Sequence, residues 1–540
     1  MQRLTWRTKI ITGIVAGVTV VSLTACSAKD TTSTASATSV QTTQLADLLD
    51  DTTDVGADNP DLFDLSQSHE VALDIDQDAI DTMLEDYQSG DEKTWVKANI
   101  TIDGTTIENV GVRLKGNSSL RILGGNSGMP GGGQALGENA DGQASAGMLT
   151  DMPTPPEGMQ MPTDGEMPTP PDGGQGGPGH APQGGGMSGS SIDESDVTTW
   201  PLLISFDKYE DGRVYQGMSQ LSLRSGIPSL NEATALSATA ETGQASQRYT
   251  YLTYSVNGGE TLTRIALENP DEYYAARLGD GILYKADSES SFTYQGDDPE
   301  TYADQFKIES KDDDAENEQP IVDLLKWMDS ADDTEFDEHL ENYVDVDSFA
   351  KYLATQNLLV NGDDMSGPGK NYYLWYDNET KKISVVSWDL DMSMQNNAEQ
   401  SPDESASMGG GHRQQAQPSD AATSTTADAA ATQTADIQLA ADTSESTTAD
   451  KQDNRGGMMS GNELKTRFLA SEKFKAVYDQ AYWDLYEQTY GSGFAEKTLE
   501  NLRSQVPATD GTPQSDIDSA ADKLQEFITQ RKDYLAAQKA

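Results

Sequence analysis

Asp389 and Asp391 stand two positions apart in "VVSWDLDMSM", at the end of an apolar run that closes on Trp388. On a continuing strand, side chains two apart share a face, with their alpha carbons about 7 Å apart. Carboxylate oxygens at that separation are hard ligands able to hold Mg²⁺ or Mn²⁺, and Asn371 could add an amide oxygen. Just upstream, in "NGDDMSGPGK", Asp363 or Asp364 could accept a proton from an attacking hydroxyl. A metal, a base and a lysine for charge are what phosphoryl transfer asks of a protein. Paired carboxylates also serve glycoside hydrolysis, but two aspartates side by side on one strand are too close and too alike in environment to divide into acid and base.

The surrounding pattern supplies elements that could position these groups. "DVDSFAKYLATQNLLV" reads as a helix with Asp345 and Asp347 as candidate N-caps, ending near Val360 and followed by the polar "NGDDMSGPGK" loop. "NYYLWYD" and "KISVVSWDLD" then form a hairpin around "DNETKK", which returns the chain to that loop and brings the two acidic clusters together. Earlier, "HEVALDIDQDAIDTMLEDY" is a strand followed by a helix, and "WVKANITIDGTTIENVGVRLKGNSS" is a hairpin turning at "IDGT". "WPLLISFDKYEDG", "LSLRS", "QRYTYLTYSVNGGETLTRIALE" and "GILYKAD" continue as strands. Beyond about Pro320 helices dominate, with apolar positions three and four apart from Phe474 to Tyr486 and from Ile517 to Leu535. A β-rich first part and a helical second part joined in one unit predict an α+β fold in two lobes.

The chain has 540 residues, with 36 Lys and Arg against 90 Asp and Glu, for a net charge of −54. Nothing in it resembles the basic stripe that nucleic-acid binding requires. An anionic substrate would need a local basic pocket or bridging metal ions. Arg3, Arg7 and Lys9 precede an apolar run from Ile10 to Leu23 that ends in "LTAC". This is the shape of a secretory signal, too short for a membrane span. Cys26 is the only cysteine, so no intramolecular disulfide forms, and the segment resembles a bacterial lipoprotein signal. Residues 1–25 are then removed, lipid on Cys26 tethers the chain outside the cytoplasmic membrane, and 26–60 form a flexible stalk. The remaining domain, 61–540, is interrupted at about 121–196 and 396–461 by low-complexity blocks expected to be disordered inserts. The methionines of the first block lie among prolines and glycines, as in a linker, and the four histidines, His69, His180, His339 and His412, show no zinc spacing. Asp74, Asp76 and Asp78 alternate like the start of a calcium loop, but Ala79 stands where that loop needs glycine.

The ordered series "VRLKGNSS", "YSVNGG", "GILYK", "NLLVNGDD", "KNYYLWYD" and "WDLDMS" resembles the CotH kinase family, over most of the chain from Ser68 to Val506. The resemblance implies an atypical protein-kinase-like fold, ATP and Mg²⁺ or Mn²⁺ as cofactors, and transfer of phosphate to Ser or Thr of proteins. It makes Asp389 the metal-binding aspartate with Asp391 in support, Asp363 the catalytic base with Asp364 as the alternative register, and Asn371 a second metal ligand. The phosphate-binding lysine is Lys285, with Glu268 as its partner, or else Lys115. No glycine-rich loop follows a strand as in kinases; "GNSS" after Lys115 is the one candidate for contacting phosphates. For an extracytoplasmic lipoprotein, the implied partners are secreted or cell-envelope proteins. A second reading is a non-catalytic envelope scaffold or adhesin that keeps the fold.

Overall fold

The computed structural model describes residues 45–90, 92–116, 118–124, 192–225, 228–310, 318–404 and 462–539. The signal segment, Cys26 and most of both low-complexity blocks lie outside the described residues. The fold is α+β, as the sequence pattern predicts.

Strict alternation builds the first sheet. In β1 (His69–Asp74), His69, Val71 and Leu73 are buried while Glu70 and Asp74 are exposed; β2 (Val96–Ile102) buries Val96, Ala98, Ile100 and Ile102. Asp103 and Gly104, both left-handed with φ of 50° and 82°, turn β2 into β3 (Thr105–Leu114). This is the backbone that a two-residue hairpin demands. With β4 (Leu202–Ser205), β5 (Gln220–Leu223), β6 (Tyr249–Val256) and β7 (Leu262–Glu268), these strands close into a barrel in the order β1-β2-β3-β4-β5-β7-β6. The closing β6–β1 pair is parallel. Closure leaves no sheet edge to protect, and the interior is filled by Leu, Ile, Val and aromatic side chains.

A second sheet of four strands follows, β9-β8-β10-β11, all antiparallel, from β8 (Gly281–Ala286), β9 (Phe306–Ile308), β10 (Tyr372–Asp377) and β11 (Lys382–Ser387). Its two faces bury different things. Ile282, Tyr284, Leu374, Ile383 and Val385 pack into the helical core. On the other face Leu283, Tyr373, Trp375 and Val386 join Tyr274, Ala275 and Trp388 in a small cluster. Lys285 is two residues beyond Leu283 on β8, so it shares this second face.

Besides short helices at Glu300–Ala303 and Asp333–His339, the described residues form α1 (Gln77–Gly90), α2 (Leu230–Glu241), α3 (Glu272–Leu278), α4 (Gln319–Ser330), α5 (Val346–Leu358), α6 (Glu463–Ala470), α7 (Glu472–Tyr486), α8 (Phe494–Gln505) and α9 (Gln514–Lys539). Asp345 caps α5, accepting from the Ser348 backbone N–H at 3.0 Å. This helix is central: Phe349, Ala350 and every residue from Tyr352 to Leu358 are buried. No helix among the described residues is long and apolar enough to cross a membrane.

Three boundaries differ from the sequence expectation. Thr53–Asp54, placed in the stalk by composition, pairs in parallel with Arg213–Val214. Leu123 and Ile192, inside the first block's expected limits, are buried. Residues 396–404, read as the start of the second block, form a strap held from beneath. Arg531 on α9, fully buried, donates to the carbonyl oxygens of Ala398 and Gln400, and Asn357 Nδ2 donates to those of Ser401, Pro402 and Glu404. Composition could not reveal this, because the strap is held mainly through backbone acceptors, with Asp403 pairing with Lys475, and its donors come from distant helices.

Candidate active site

α5 ends at Leu358, and two residues on, Val360 is left-handed with a φ of 51°, an expensive conformation for a β-branched residue. That corner throws Asn361 and the acidic loop outward from the buried helix. The Asp363 backbone N–H donates to Asn361 Oδ1 at 3.2 Å, and Asn361 Nδ2 donates to Gln356 Oε1 at 2.8 Å. Gln356 Nε2 in turn donates to Ser387 Oγ at 2.8 Å, at the end of β11. One amide on α5 thus ties the loop to the strand that carries Trp388 and Asp389.

The loop then folds over its own aspartate. Asp363 Oδ1 accepts from Gly369 N–H at 2.7 Å and Oδ2 accepts from Asn371 Nδ2 at 2.9 Å. A Cβ at Gly367 would stand 2.5 Å from the Asp363 Cα, and one at Gly369 would stand 2.4 Å from Oδ2. Only glycine permits that closeness. Burial raises the Asp363 carboxyl from 3.8 to about 6, the Gly369 N–H opposes this, and the charges of Asp389 and Asp364 add to it. An acid in that range is ionised at neutral pH yet basic enough to take a proton.

The neighbouring aspartates divide their work. Asp364 turns away from Asp363 into an ion pair with Lys465 on α6, at 9% and 13% side-chain exposure, and accepts from Ser366 N–H at 2.8 Å. Asp363 is thus held by its own loop, through Gly369 and Asn371, while Asp364 pairs with α6.

That second cluster leaves β11 through another strained corner. Asp389 is left-handed, with φ 55° and ψ 62°. Its Oδ1 pairs with Arg224, which follows β5, and Arg224 also grips the fully buried Glu232 of α2, with Nη2 at 2.5 Å and Nε at 3.2 Å. Burial alone would lower the Arg224 guanidinium, but Asp389 and Glu232 together hold it above its ordinary value. Asp391 is raised well above the carboxylate range, first by burial, then by Asp389, with Arg224 opposing and Glu232 and Asp363 adding. Asn231 Nδ2 holds the turn between them by donating to the Asp391 carbonyl at 2.6 Å and the Ser393 carbonyl at 3.1 Å.

Both rival lysines are present. Lys115 Nζ donates to Asn269 Oδ1 at 2.6 Å and lies 5.2 Å from the Trp388 ring; Lys285 Nζ lies 5.4 Å from the same ring. Burial pushes Lys115 well down, and the neighbouring Lys285 and Arg224 charges push it further; burial also lowers Lys285. Glu268 is engaged elsewhere, in ion pairs with Arg248 and Arg277, so it is no partner for Lys285. Asn371 supports Asp363 rather than joining Asp389.

The site residues that sequence reasoning missed are Arg224, Glu232 and Gln356. One signal was available: a lone glutamate in the small-residue helix "LNEATALSATA" has to be paired if it is buried. Among the described residues no three acidic or imidazole side chains converge on one point. Asp389, at a left-handed corner, and Asp391, in the short helix Leu390–Met392, do not continue the strand, so the shared face expected of residues two apart is not formed. The two carboxylates that would hold a divalent cation crowd one another nonetheless. The crowding that raises Asp391 is the charge excess such a cation would relieve.

The fold closes a barrel against a sheet and helices, with two acidic corners and two buried lysines beside Trp388. Residues 187–535 match the family described as CotH kinase protein, well over half of the chain, and the chain belongs to that family. The match begins later and runs further than the motifs from Ser68 to Val506 suggest. Inner spore coat protein H of Bacillus subtilis (strain 168) is 27% identical over 187 residues, which cover 33% of this chain and 51% of that protein. The chain thus spans about half the length of the curated relative it matches.

Proposed function

We propose that the chain is an atypical, two-lobed, kinase-like enzyme, tethered outside the cytoplasmic membrane through lipid on Cys26. It would transfer the γ-phosphate of ATP to Ser or Thr of secreted or envelope proteins. The observation that carries this reading is the convergence of Lys115, Lys285 and Arg224 on Asp389, a local basic pocket in a chain of net charge −54. Such a pocket is what an anionic substrate needs here. Family membership supports it.

Lys115 and Lys285 bind the phosphates, and Asp363, held by Gly369 and Asn371, takes the proton of the acceptor hydroxyl. Asp389 and Asp391 would hold Mg²⁺ or Mn²⁺, which when bound neutralises phosphate charge. Arg224 must then share or give up Asp389. Purified protein given labelled ATP with Mg²⁺ or Mn²⁺ is expected to label itself or a general acceptor, and Asp389→Ala to abolish this. Equal labelling by both proteins would remove Asp389 from the mechanism.

One observation favours a second reading, a non-catalytic envelope scaffold or adhesin: Asp389 already has a cation, Arg224. A thermal shift separates the two. ATP with Mn²⁺ should raise the melting temperature of a competent site, because a ligand that binds only the folded state stabilises it. No shift at millimolar ATP would favour the scaffold.

A further inference from the structure

Lys115 and Lys285 come from opposite sides of a junction. Lys115 follows β3 of the barrel and Lys285 lies on β8 of the four-stranded sheet. Among the described residues neither has a carboxylate within ion-pair distance, and the neutral Asn269 amide is the hydrogen-bond partner of Lys115. What they share is an indole, Trp388, 8% exposed, against which both ammonium groups rest. Tyr373 on β10 fixes that indole edge-on, with ring centroids 5.2 Å apart and planes at 79°.

This arrangement is costly without an anion. An ammonium taken out of water loses several kcal/mol of hydration by order of magnitude. Here the Lys285 charge adds to the cost at Lys115. The carboxylates of Asp389 and, for Lys285, Glu309 offset only part of it, since both lysines stay lowered. A lysine is a point charge on a flexible stem, so something must hold it in place. The rigid ring supplies that hold through its negative face.

Resting on the phosphotransferase reading, we propose that Lys115 and Lys285 act together on one polyphosphate, and that Trp388 is the positioning residue that fixes their separation. The indole does the work that a strand-borne glycine-rich loop does elsewhere. Because Trp388 is adjacent to Asp389, the same residue also sets the polyphosphate against the metal-binding corner.

The test titrates the purified full chain with inorganic tripolyphosphate and, separately, with ATP and Mn²⁺, by calorimetry. K115M and K285M are each expected to weaken tripolyphosphate binding about tenfold. W388L should weaken it about tenfold by releasing both lysines. W388F provides a second readout: the fluorescence difference between wild type and W388F isolates Trp388 among the tryptophans, and it should change on adding tripolyphosphate. If the wild type takes up neither probe, the phosphotransferase reading fails and the proposal with it. If the wild type binds both but one lysine variant binds tripolyphosphate as tightly, joint action is overturned. If both lysines matter but the Trp388 difference signal stays flat, the positioning role is overturned, whether or not W388L folds.

Discussion

Asp363 and Asp364 are adjacent and both sit on the loop after α5, yet the structure assigns them opposite consequences when their charge is removed. Asp364→Asn strands the Lys465 ammonium, whose side chain is 13% exposed. Removing one partner of a buried ion pair typically costs about 3–5 kcal/mol. Here the cost is reduced, because Asp364 and Lys465 line a cavity of about 420 Å³ that also presents Asp403 and Glu404, giving the ammonium polar groups nearby. A loss of about 2–3 kcal/mol follows. At about 2.1 cal/mol/K of unfolding entropy per residue over several hundred residues, that lowers the melting temperature by roughly 3–4 °C. Asp363→Asn removes a carboxylate that burial already disfavours in its charged form. Its melting temperature should hold or rise, while turnover falls about 100- to 10,000-fold with the loss of the base.

Urea unfolding and labelled-ATP transfer, both measured well below the melting temperature, read the two effects separately. The double variant Asp364→Asn with Lys465→Met should recover part of the lost stability, since no ammonium is left stranded. The opposite pattern, in which Asp364→Asn abolishes transfer at unchanged stability and Asp363→Asn remains active, would refute the division of roles.

Three further outcomes are expected. Arg531→Met leaves the carbonyl oxygens of Asn357, Leu358, Ala398 and Gln400 without their guanidinium donor; urea unfolding should show a loss of about 3–5 kcal/mol, and a loss under about 1 would contradict the clamp. Burial raises the Asp271 carboxyl from 3.8 to about 6, against donors from Ser219, Tyr273 and Tyr274. Its folded-state pKa lies above the unfolded one, so its stabilisation is full below the unfolded value and is lost as pH rises through the folded one. Wild type should therefore lose about 3 kcal/mol relative to Asp271→Asn between about pH 3 and pH 7, and a pH-independent difference would contradict this. Gly367→Ala drives a Cβ to 2.5 Å from the Asp363 backbone, so transfer should fall about tenfold or more while the barrel, probed by its near-UV spectrum, stays folded.

Much of the site was legible because its parts are consecutive. The α5 helix, the loop and the β10–β11 hairpin follow one another, so helix and strand periodicity alone place Asp363 beside Asp389. The "IDGT" and "NGG" turns are equally local. What could not be read depends on closure of the barrel. Arg224 reaches Asp389 from the end of β5, and Glu268 finds Arg248 and Arg277 across strand and helix, pairings that no spacing encodes. Lys115 and Lys285 looked like rivals because sequence shows each on its own strand and does not show the ring between them.

The two strained corners share one physical explanation. Val360 and Asp389, with φ of 51° and 55°, each adopt a conformation that costs about 1–3 kcal/mol unless the surroundings enforce it. The surroundings do so from both sides. Asn361 N–H returns to the Gln356 carbonyl, Met394 N–H donates to the Leu359 carbonyl at 2.8 Å, and the Gln356 side chain links Asn361 to Ser387. These bonds hold two acidic groups close together; burial is the main cause of the raised Asp363 and Asp391 carboxyls, and neighbouring carboxylate charges add to it. If either corner relaxed into ordinary backbone, the carboxylates would separate and the repulsion would fall. The protein instead spends hydrogen bonds to keep like charges close. The same bonds satisfy the buried Gln356, Asn361 and Ser387 side chains, so they serve the fold as well; under the proposed function a divalent cation and a polyphosphate would complete the charge balance.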